Sequence, residues 1–587
     1  MQILDVNENA FYKRYEISLS KEAGRVTEPL YGNYRERFDL IKGSEKEVVK
    51  KIPESALFIM IVGFSGGDFL RVLTESIFRT VHVLVWEPEW EAFLYVASLT
   101  DISDLIANEQ LDIVIGRGEE STGRVKEAIR ENVDVQNMDY AVMLCSPGFD
   151  DIYVSEVGEL KKLYEDSLFD VGMDVATRSH FAQIPCKNEM YAMSVLHRNH
   201  TADQLFRSIS TRDIPVIIVS TGPSLEKNVD ELKNIGNRAL VVSLARSVDT
   251  LSEREIRYHF AAMLDAAVGE EYMDSDEKAE ARMLLDVKCV QGMQRKYDGN
   301  IVYCGMNPDL YPIKRVEDTA YAFSKGGSVA TAVYGMFQNA GFKTIILVGQ
   351  DLAFSEDGFS HAGGELEVDE RKTYEVEGIS GGIVKTRDDW YAFLRFYEDM
   401  IEKHPETKVV DATEGGALIH GSEILTLEEA LEKYCMKEYP IDEWIENMPK
   451  MNPDIQGEIE GIMKRHYQKA LSFKKELTEA ISINNLLVKA IREGDFFSER
   501  SKAYCKRYDE LYNIIVQIDN EDMILSYSED VIQNYVQKAL TVEKDEDFDK
   551  KLILEEQLYS ELLMRCEEML KYMTELYPGI AGSKDLS

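Results

Sequence analysis

The chain has 587 residues, with 66 Lys and Arg against 106 Asp and Glu, a formal charge of −40. The acid is spread through every region, which excludes broad contact with nucleic-acid phosphates and docking on anionic membranes. Apolar residues at 44% and charged residues at 29% are globular proportions, and the length suits several domains.

No segment approaches the roughly 20 apolar residues that span a bilayer. The longest apolar stretch, Ala56–Val62, has the size of a strand. The opening residues Met1–Glu8 lack a basic region and an apolar region, so no signal peptide is expected. The seven cysteines are scattered, without a CxxC pair, as in a reducing cytoplasm. A cytoplasmic location is the expectation.

In chain order, the first 50 residues are mixed and polar. Apolar runs at Ala56–Val62, Val81–Trp86, Leu111–Ile115 and Tyr140–Leu144 then read as strands, with helices at Phe69–Phe78 and Glu120–Glu131. Alternation of this kind predicts a parallel, doubly wound sheet. A Rossmann-like domain is expected over 1–155, followed by a helical connector over 156–205. The pattern restarts with strands at Pro215–Val219, Ala239–Ser243, Tyr258–Met263, Ile301–Cys304, Thr344–Val348 and Lys408–Val410. These define a central α/β domain over 206–428. Residues 454–577 contain no proline, and Leu554, Leu558, Leu562, Cys566, Leu570 and Met573 recur at helical spacing. A helical bundle is expected over 429–587. The fold class is therefore α/β plus α.

Gly63-Phe64-Ser65-Gly66-Gly67 follows a strand and opens a helix, and Glu87 ends the next strand. That pair suits either a dinucleotide site or a plain packing turn, and Ser65 stands where the second glycine of GxGxxG would be. The same residues match GxSxG, the serine-hydrolase elbow, with His180 and His361 as available partners. His197 and His200, three apart, offer a metal pair on one helix face or a solvated pair.

The central domain holds a denser set. Thr221-Gly222-Pro223-Ser224 follows a buried strand and opens a helix, with Ser224 placed to cap it. Hydroxyls and free N–H groups there predict a phosphate cradle. Gly326-Gly327-Ser328 starts a second helix. Asp351 follows the strand Thr344–Val348, and Asp265 ends the strand Tyr258–Leu264 on the same rim. His361 lies in the glycine-bearing stretch Gly358–Gly364, and Thr413 follows the strand Lys408–Val410. Ligands of open α/β sheets bind at the C-terminal ends of the strands, so these turns point to a nucleotide or nucleotide-sugar site. No Walker A motif is present.

Taken in order, Thr221–Leu225, Gly327–Ala330, Gly349-Gln350-Asp351-Leu352-Ala353-Phe354 with His361, and Asp411–Gly415 resemble the motility-associated factor (Maf) proteins, flagellin glycosyltransferases whose central domain is similar to bacterial sialyltransferases. The resemblance implies transfer of a nonulosonic acid, of pseudaminic or legionaminic type, from a CMP-activated donor to Ser or Thr of flagellin. It implies that Thr221, Gly222, Pro223 and Ser224 hold the nucleotide, with Gly326, Gly327, Ser328, Asp265 and Thr413 around it. The sialyltransferase turn carries Asn where this chain has Thr221. His361 is the expected general base, with Asp351 orienting it or acting in its place. One phosphate needs no divalent metal when helix N-termini and hydroxyls receive it, so no tightly bound cofactor or metal is expected. Two other readings remain open. The central domain also resembles the 6-hydroxymethylpterin pyrophosphokinases, which use ATP and Mg²⁺, and the bundle is equally compatible with a non-enzymatic flagellin-binding factor.

Overall fold

The computed structural model describes residues 3–15, 17–19, 49–53, 56–77, 81–133, 141–147, 149, 152–165, 183–267, 273, 281–308, 310–313, 326–355, 373–449, 451–452, 454–516, 522–540 and 548–581. His180, His361 and Gly358–Gly364 lie outside them. The chain forms two compact units, Met1–Thr177 and Arg178–Ser587.

The smaller unit is a four-stranded parallel sheet in the order β3-β2-β1-β4, with β1 Phe58–Val62, β2 His82–Glu87, β3 Leu111–Ile115 and β4 Ala141–Cys145. Every residue of β1 is buried. Its side chains divide by parity: Ile59 and Ile61 enter one core, and Phe58, Met60 and Val62 the other. A strand covered on both faces must be apolar throughout, which is why it reads as an unbroken run. Helices Asp68–Ser76, Trp90–Leu99 and Glu119–Asn132 make the crossovers.

The larger unit is built on nine parallel strands in the order β15-β14-β11-β6-β7-β8-β9-β10-β5. Their ranges are β5 His200–Thr201, β6 Val216–Val219, β7 Leu240–Leu244, β8 Phe260–Met263, β9 Met283–Asp286, β10 Ile301–Cys304, β11 Thr344–Val348, β14 Lys408–Asp411 and β15 Glu423–Ile424. Between β11 and β14 the chain makes an antiparallel hairpin, β12 Thr373–Glu377 and β13 Ile383–Arg387. The chain passes from β6 outward to β10, then returns to place β11 on the other side of β6. The β6–β11 junction is thus the topological switch point, where a crevice opens at the strand ends.

Parity again sorts the cores. Val216 and Ile218 face a cluster shared with the helices Val329–Asn339 and Asp388–Lys403, while Ile217 and Val219 face the opposite side. On β8, β9 and β10, Met263, Met283, Leu285, Ile301 and Tyr303 join the core of the C-terminal helices. Those helices are Ile455–Arg492, Glu499–Val516, Met523–Tyr527, Glu529–Leu540 and Phe548–Leu576. The first, at 38 residues, runs for about 57 Å. Leu558, Leu562, Cys566, Leu570 and Met573 enter its shared core, and Leu554 is half-buried. The bundle is therefore continuous with one face of the sheet.

Among the described residues no helix is long and apolar enough to cross a membrane. His197 is exposed on a 3₁₀ turn, Leu196–Arg198, and His200 begins β5, so the two do not share a helix face. The chain leaves the helix Gln183–Val195 two residues before His197, which breaks the periodicity that would align them. Among the described residues no group of three or more His, Cys, Asp or Glu is arranged to hold a metal ion.

Candidate functional site

The glycine turn of the smaller unit is closed by its own side chains. Glu87, buried at the end of β2, accepts the N–H groups of Phe64 at 2.8 Å and Glu89 at 3.1 Å, and the Tyr153 hydroxyl at 2.6 Å. Burial pushes its carboxyl up to about 7, against the opposing pull of these three donors. Tyr153 fills the β1–β4 crevice, since a Cβ on Gly63 would stand 3.3 Å from its ring. The acid that would read a ribose is thus turned inward as a latch on the turn. This corrects the dinucleotide reading of Gly63–Gly67 and Glu87 in favour of a packing turn. Ser65 of the GxSxG match has φ 55 and is buried.

The rim of the larger sheet has another character. Ser220 at the end of β6 donates its N–H to Val348 O at 2.8 Å and its hydroxyl to Gln350 Oε1 at 2.6 Å. Gly222 N–H continues the ladder to Gly349 O at 2.7 Å. The turn then meets Asp351. Ser224 donates its N–H to both carboxylate oxygens at 3.2 Å and its hydroxyl to Oδ2 at 2.7 Å. Ser224 makes no side-chain cap to the short helix Leu225–Asn228. The expected cap is therefore replaced by a contact to a residue 127 positions away. A charge-assisted bond to a carboxylate outcompetes a neutral cap.

Only a glycine fits at 222. A Cβ there would lie 1.9 Å from Asp351 Oδ2 and 2.6 Å from Gly349 O. The third loop, after β14, closes on the same residue at its main-chain carbonyl. Gly416, at φ 80, leaves room for Asp351 O, which accepts Ala417 N–H at 2.7 Å. Thr413 is fully buried, and its hydroxyl accepts Gln350 N–H at 3.2 Å. Asn228 ties the loop from the other side, donating to Ala412 O and Glu414 Oε1, both at 2.9 Å.

Sequence reasoning therefore named Thr221, Gly222, Pro223, Ser224, Asp351 and Thr413, and the structure gathers them at the switch point. Asp265 stands exposed two strands away, its Oδ1 accepting Ala267 N–H at 3.2 Å. Gly326, Gly327 and Ser328 begin the helix Val329–Asn339, which packs on β6, β8 and β11. A helix that precedes a parallel strand runs against it, so this start faces the same rim. Ser328 does cap its helix: its hydroxyl accepts Thr331 N–H at 3.1 Å, and Thr331 Oγ1 accepts Ser328 N–H at 3.0 Å. Gln350, Asn228 and the side chain of Lys227 were not singled out by sequence. Lys227 and Asn228 continue the Gly-Pro-Ser turn into its helix, and the order Gly349-Gln350-Asp351 after a strand was the available signal for Gln350.

Burial pushes the Asp351 carboxyl up to about 6, opposed by the Ser224 hydrogen bonds and the Lys227 charge. Burial also pushes Asp411 to about 6, with the Thr413 bonds opposing and the Asp351 charge adding to the rise. A buried acid with a raised pKa binds its proton more tightly folded than unfolded. Its stabilising contribution is full below about pH 4, the unfolded value, and is lost as pH rises through about 6. The melting temperature of wild type minus that of Asp351→Asn is thus expected to fall between pH 5 and pH 7.5. A difference constant across that range contradicts the assignment.

Residues 187–357 match the family described as 6-hydroxymethylpterin diphosphokinase MptE-like. No curated protein matches the chain by sequence. Among solved structures, the Maf glycosyltransferase from Magnetospirillum magneticum AMB-1 superposes with a TM-score of 0.53 at 14% identity, over 96% of this chain and 88% of that one. The chain has the Maf glycosyltransferase fold. The likeness extends through the smaller α/β unit, the nine-stranded sheet and the C-terminal helices, since it leaves out so little of either chain. Within that fold the MptE-like match covers β5 to β11, including the Gly-Pro-Ser turn and Asp351.

Proposed function

We propose that this protein is a Maf-type glycosyltransferase that moves a nonulosonic acid from a CMP-activated donor to Ser or Thr hydroxyls of flagellin. The observation that carries the reading is the glycine-bearing knot at the β6–β11 switch point, set in a chain with the Maf glycosyltransferase fold across 96% of its length. Transfer forms a bond between the acceptor oxygen and the anomeric carbon of the sugar. The bond from that carbon to the phosphate oxygen breaks, its electron pair leaves on CMP, and the acceptor proton passes to a base.

Within this reading the residues divide by task. Thr221 to Ser224 line the nucleotide side, and Asp351, enclosed by Gly222, Ser224 and Gly415, holds the turn in place. That makes Asp351 a positioning residue. His361 remains the proposed base, since an imidazole near pH 7 suits proton removal from a hydroxyl. His361→Ala is expected to keep CMP affinity within about twofold and to lose transfer by about 10²-fold or more. Transfer at the wild-type rate would remove His361 from the role.

The MptE-like match favours a second reading, a pterin diphosphokinase using ATP and Mg²⁺. Ligand-induced stabilisation separates the two. A rise in melting temperature with CMP, absent with ATP and Mg²⁺, supports the transferase, and the reverse pattern supports the kinase.

A further inference from the structure

The Gly-Pro-Ser turn keeps few donors for a ligand. Ser220 N–H, Gly222 N–H, and Ser224 N–H and Oγ all bond to the loop after β11. Leu225 N–H bonds to Gly222 O at 3.1 Å, and Pro223 has no N–H to give. A ligand in the switch-point crevice therefore meets the donors that the protein does not spend on itself.

One of these belongs to a carboxamide built into the seam. Gln350 is 7% exposed and stands two residues past the end of β11. Two bonds fix it across the β6–β11 junction. Its N–H donates to Thr413 Oγ1 at 3.2 Å, and its Oε1 accepts the Ser220 hydroxyl at 2.6 Å. The amide nitrogen is left over. Nε2 carries two N–H donors and makes no hydrogen bond among the described residues. It is not sealed in the core with the orphaned hydroxyls of Tyr334 and Tyr397, so it reaches solvent at the strand ends. Because its oxygen is committed to Ser220, the free side of this amide can only donate. Thr221, next in the turn after Ser220, is half-buried beside it.

The surrounding charge selects what the amide takes. Asp351 follows it in the chain, and Asp411 lies two residues before its partner Thr413. Both carboxyls are buried, and each lies within reach of the other's charge. A neutral donor set against two buried acids suits an uncharged acceptor better than a phosphate.

We propose that Gln350 contacts the nucleoside of the donor, its Nε2 donating to an uncharged oxygen of the base or ribose while the Ser220 hydroxyl holds the amide in that orientation. This rests on the glycosyltransferase reading and adds to it a residue outside the Gly-Pro-Ser turn.

The test is calorimetric titration of the full chain with cytidine and with CMP. Gln350→Met keeps the length of the side chain and removes the donor, but it also deprives the Ser220 hydroxyl of its acceptor. Ser220→Ala removes that hydroxyl, so the decisive comparison is Ser220→Ala against the double variant with Gln350→Met. The added change is expected to weaken cytidine and CMP by the same factor, about tenfold, with hydrogen-exchange protection over 216–228 and 344–354 unchanged. Ser220→Ala alone keeps the donor and is expected to stay within about threefold of the wild type. Equal affinity in the two variants overturns the assignment. So does a loss confined to CMP, which puts the contact on the phosphate, and so does a loss of affinity together with protection, which makes Gln350 a structural residue only. In each of these results the wild type still binds CMP, and the transferase reading stands. A wild type that binds neither cytidine nor CMP overturns the transferase reading and the assignment with it.

Discussion

Replacing Gly222 with alanine is expected to abolish CMP binding and to destabilise the rim of the larger sheet by about 2–4 kcal/mol. The added methyl would stand 1.9 Å from Asp351 Oδ2 and 2.6 Å from Gly349 O, and neither neighbour has room to retreat. The Gly349 carbonyl is held by Gly222 N–H in the ladder between the loops. The Asp351 carboxylate is held by Ser224 and bounded by Gly415. Accommodating the methyl means expelling Asp351, which leaves the Ser224 N–H and hydroxyl unpaired in a buried place. Each orphaned donor costs about 1–3 kcal/mol. Hydrogen exchange read peptide by peptide checks this: protection is expected to fall over 216–228 and 344–354 and to persist in the C-terminal helices. Unchanged protection at the rim, or retained CMP affinity, contradicts the keystone role given to Asp351.

Glu87→Ala is expected to destabilise the smaller unit by about 3–5 kcal/mol. The change removes one acceptor from three donors at once: Phe64 N–H, Glu89 N–H and the Tyr153 hydroxyl. Two of these sit in full burial, where water cannot replace the carboxylate. Glu87→Gln keeps an oxygen acceptor and the volume. Because burial already pushes the Glu87 carboxyl to about 7, losing the charge costs little near neutral pH. Protection of β1 and β2 against exchange is expected to collapse in Glu87→Ala and to survive in Glu87→Gln, with CMP binding by the larger unit intact in both. A loss of nucleotide affinity in Glu87→Ala with β1 still protected would restore the ligand-binding reading of that turn.

The elements that could be read from the chain are those whose pattern is local. Val216–Val219, Ile345–Val348 and Phe58–Val62 are short, wholly apolar runs, because a parallel strand covered on both faces tolerates nothing else. The strand Met283–Asp286 is as buried but carries a weaker signal, since its three apolar residues end on an acid, Asp286. The hairpin β12–β13 alternates as an exposed ribbon should, and its Gly378–Gly382 turn was available as punctuation. It was overshadowed by the glycine-bearing stretch before it.

The site shows the same division. The residues of the Gly-Pro-Ser turn and Asp351 were visible as chemistry at strand ends, where topology gathers ligands. Their mutual use was not visible. Nothing near Ser224 signals that its hydroxyl belongs to an acid 127 residues on. Nor does anything near Glu87 signal that Tyr153, 66 residues on, will close its crevice. Long-range pairing decides in both cases whether a glycine turn meets a ligand or its own protein. In the smaller unit it closes the turn on Glu87 and Tyr153, and at the rim it binds Ser224 to Asp351.

The charge of −40 fits this picture. The central claim is tested most directly by intact-mass analysis of flagellin incubated with the purified protein and a CMP-nonulosonic acid. Mass gains in whole increments of one nonulosonic acid residue are expected, with an equal amount of CMP released. Flagellin of unchanged mass, under conditions where the protein binds CMP and the donor stays intact, would contradict it.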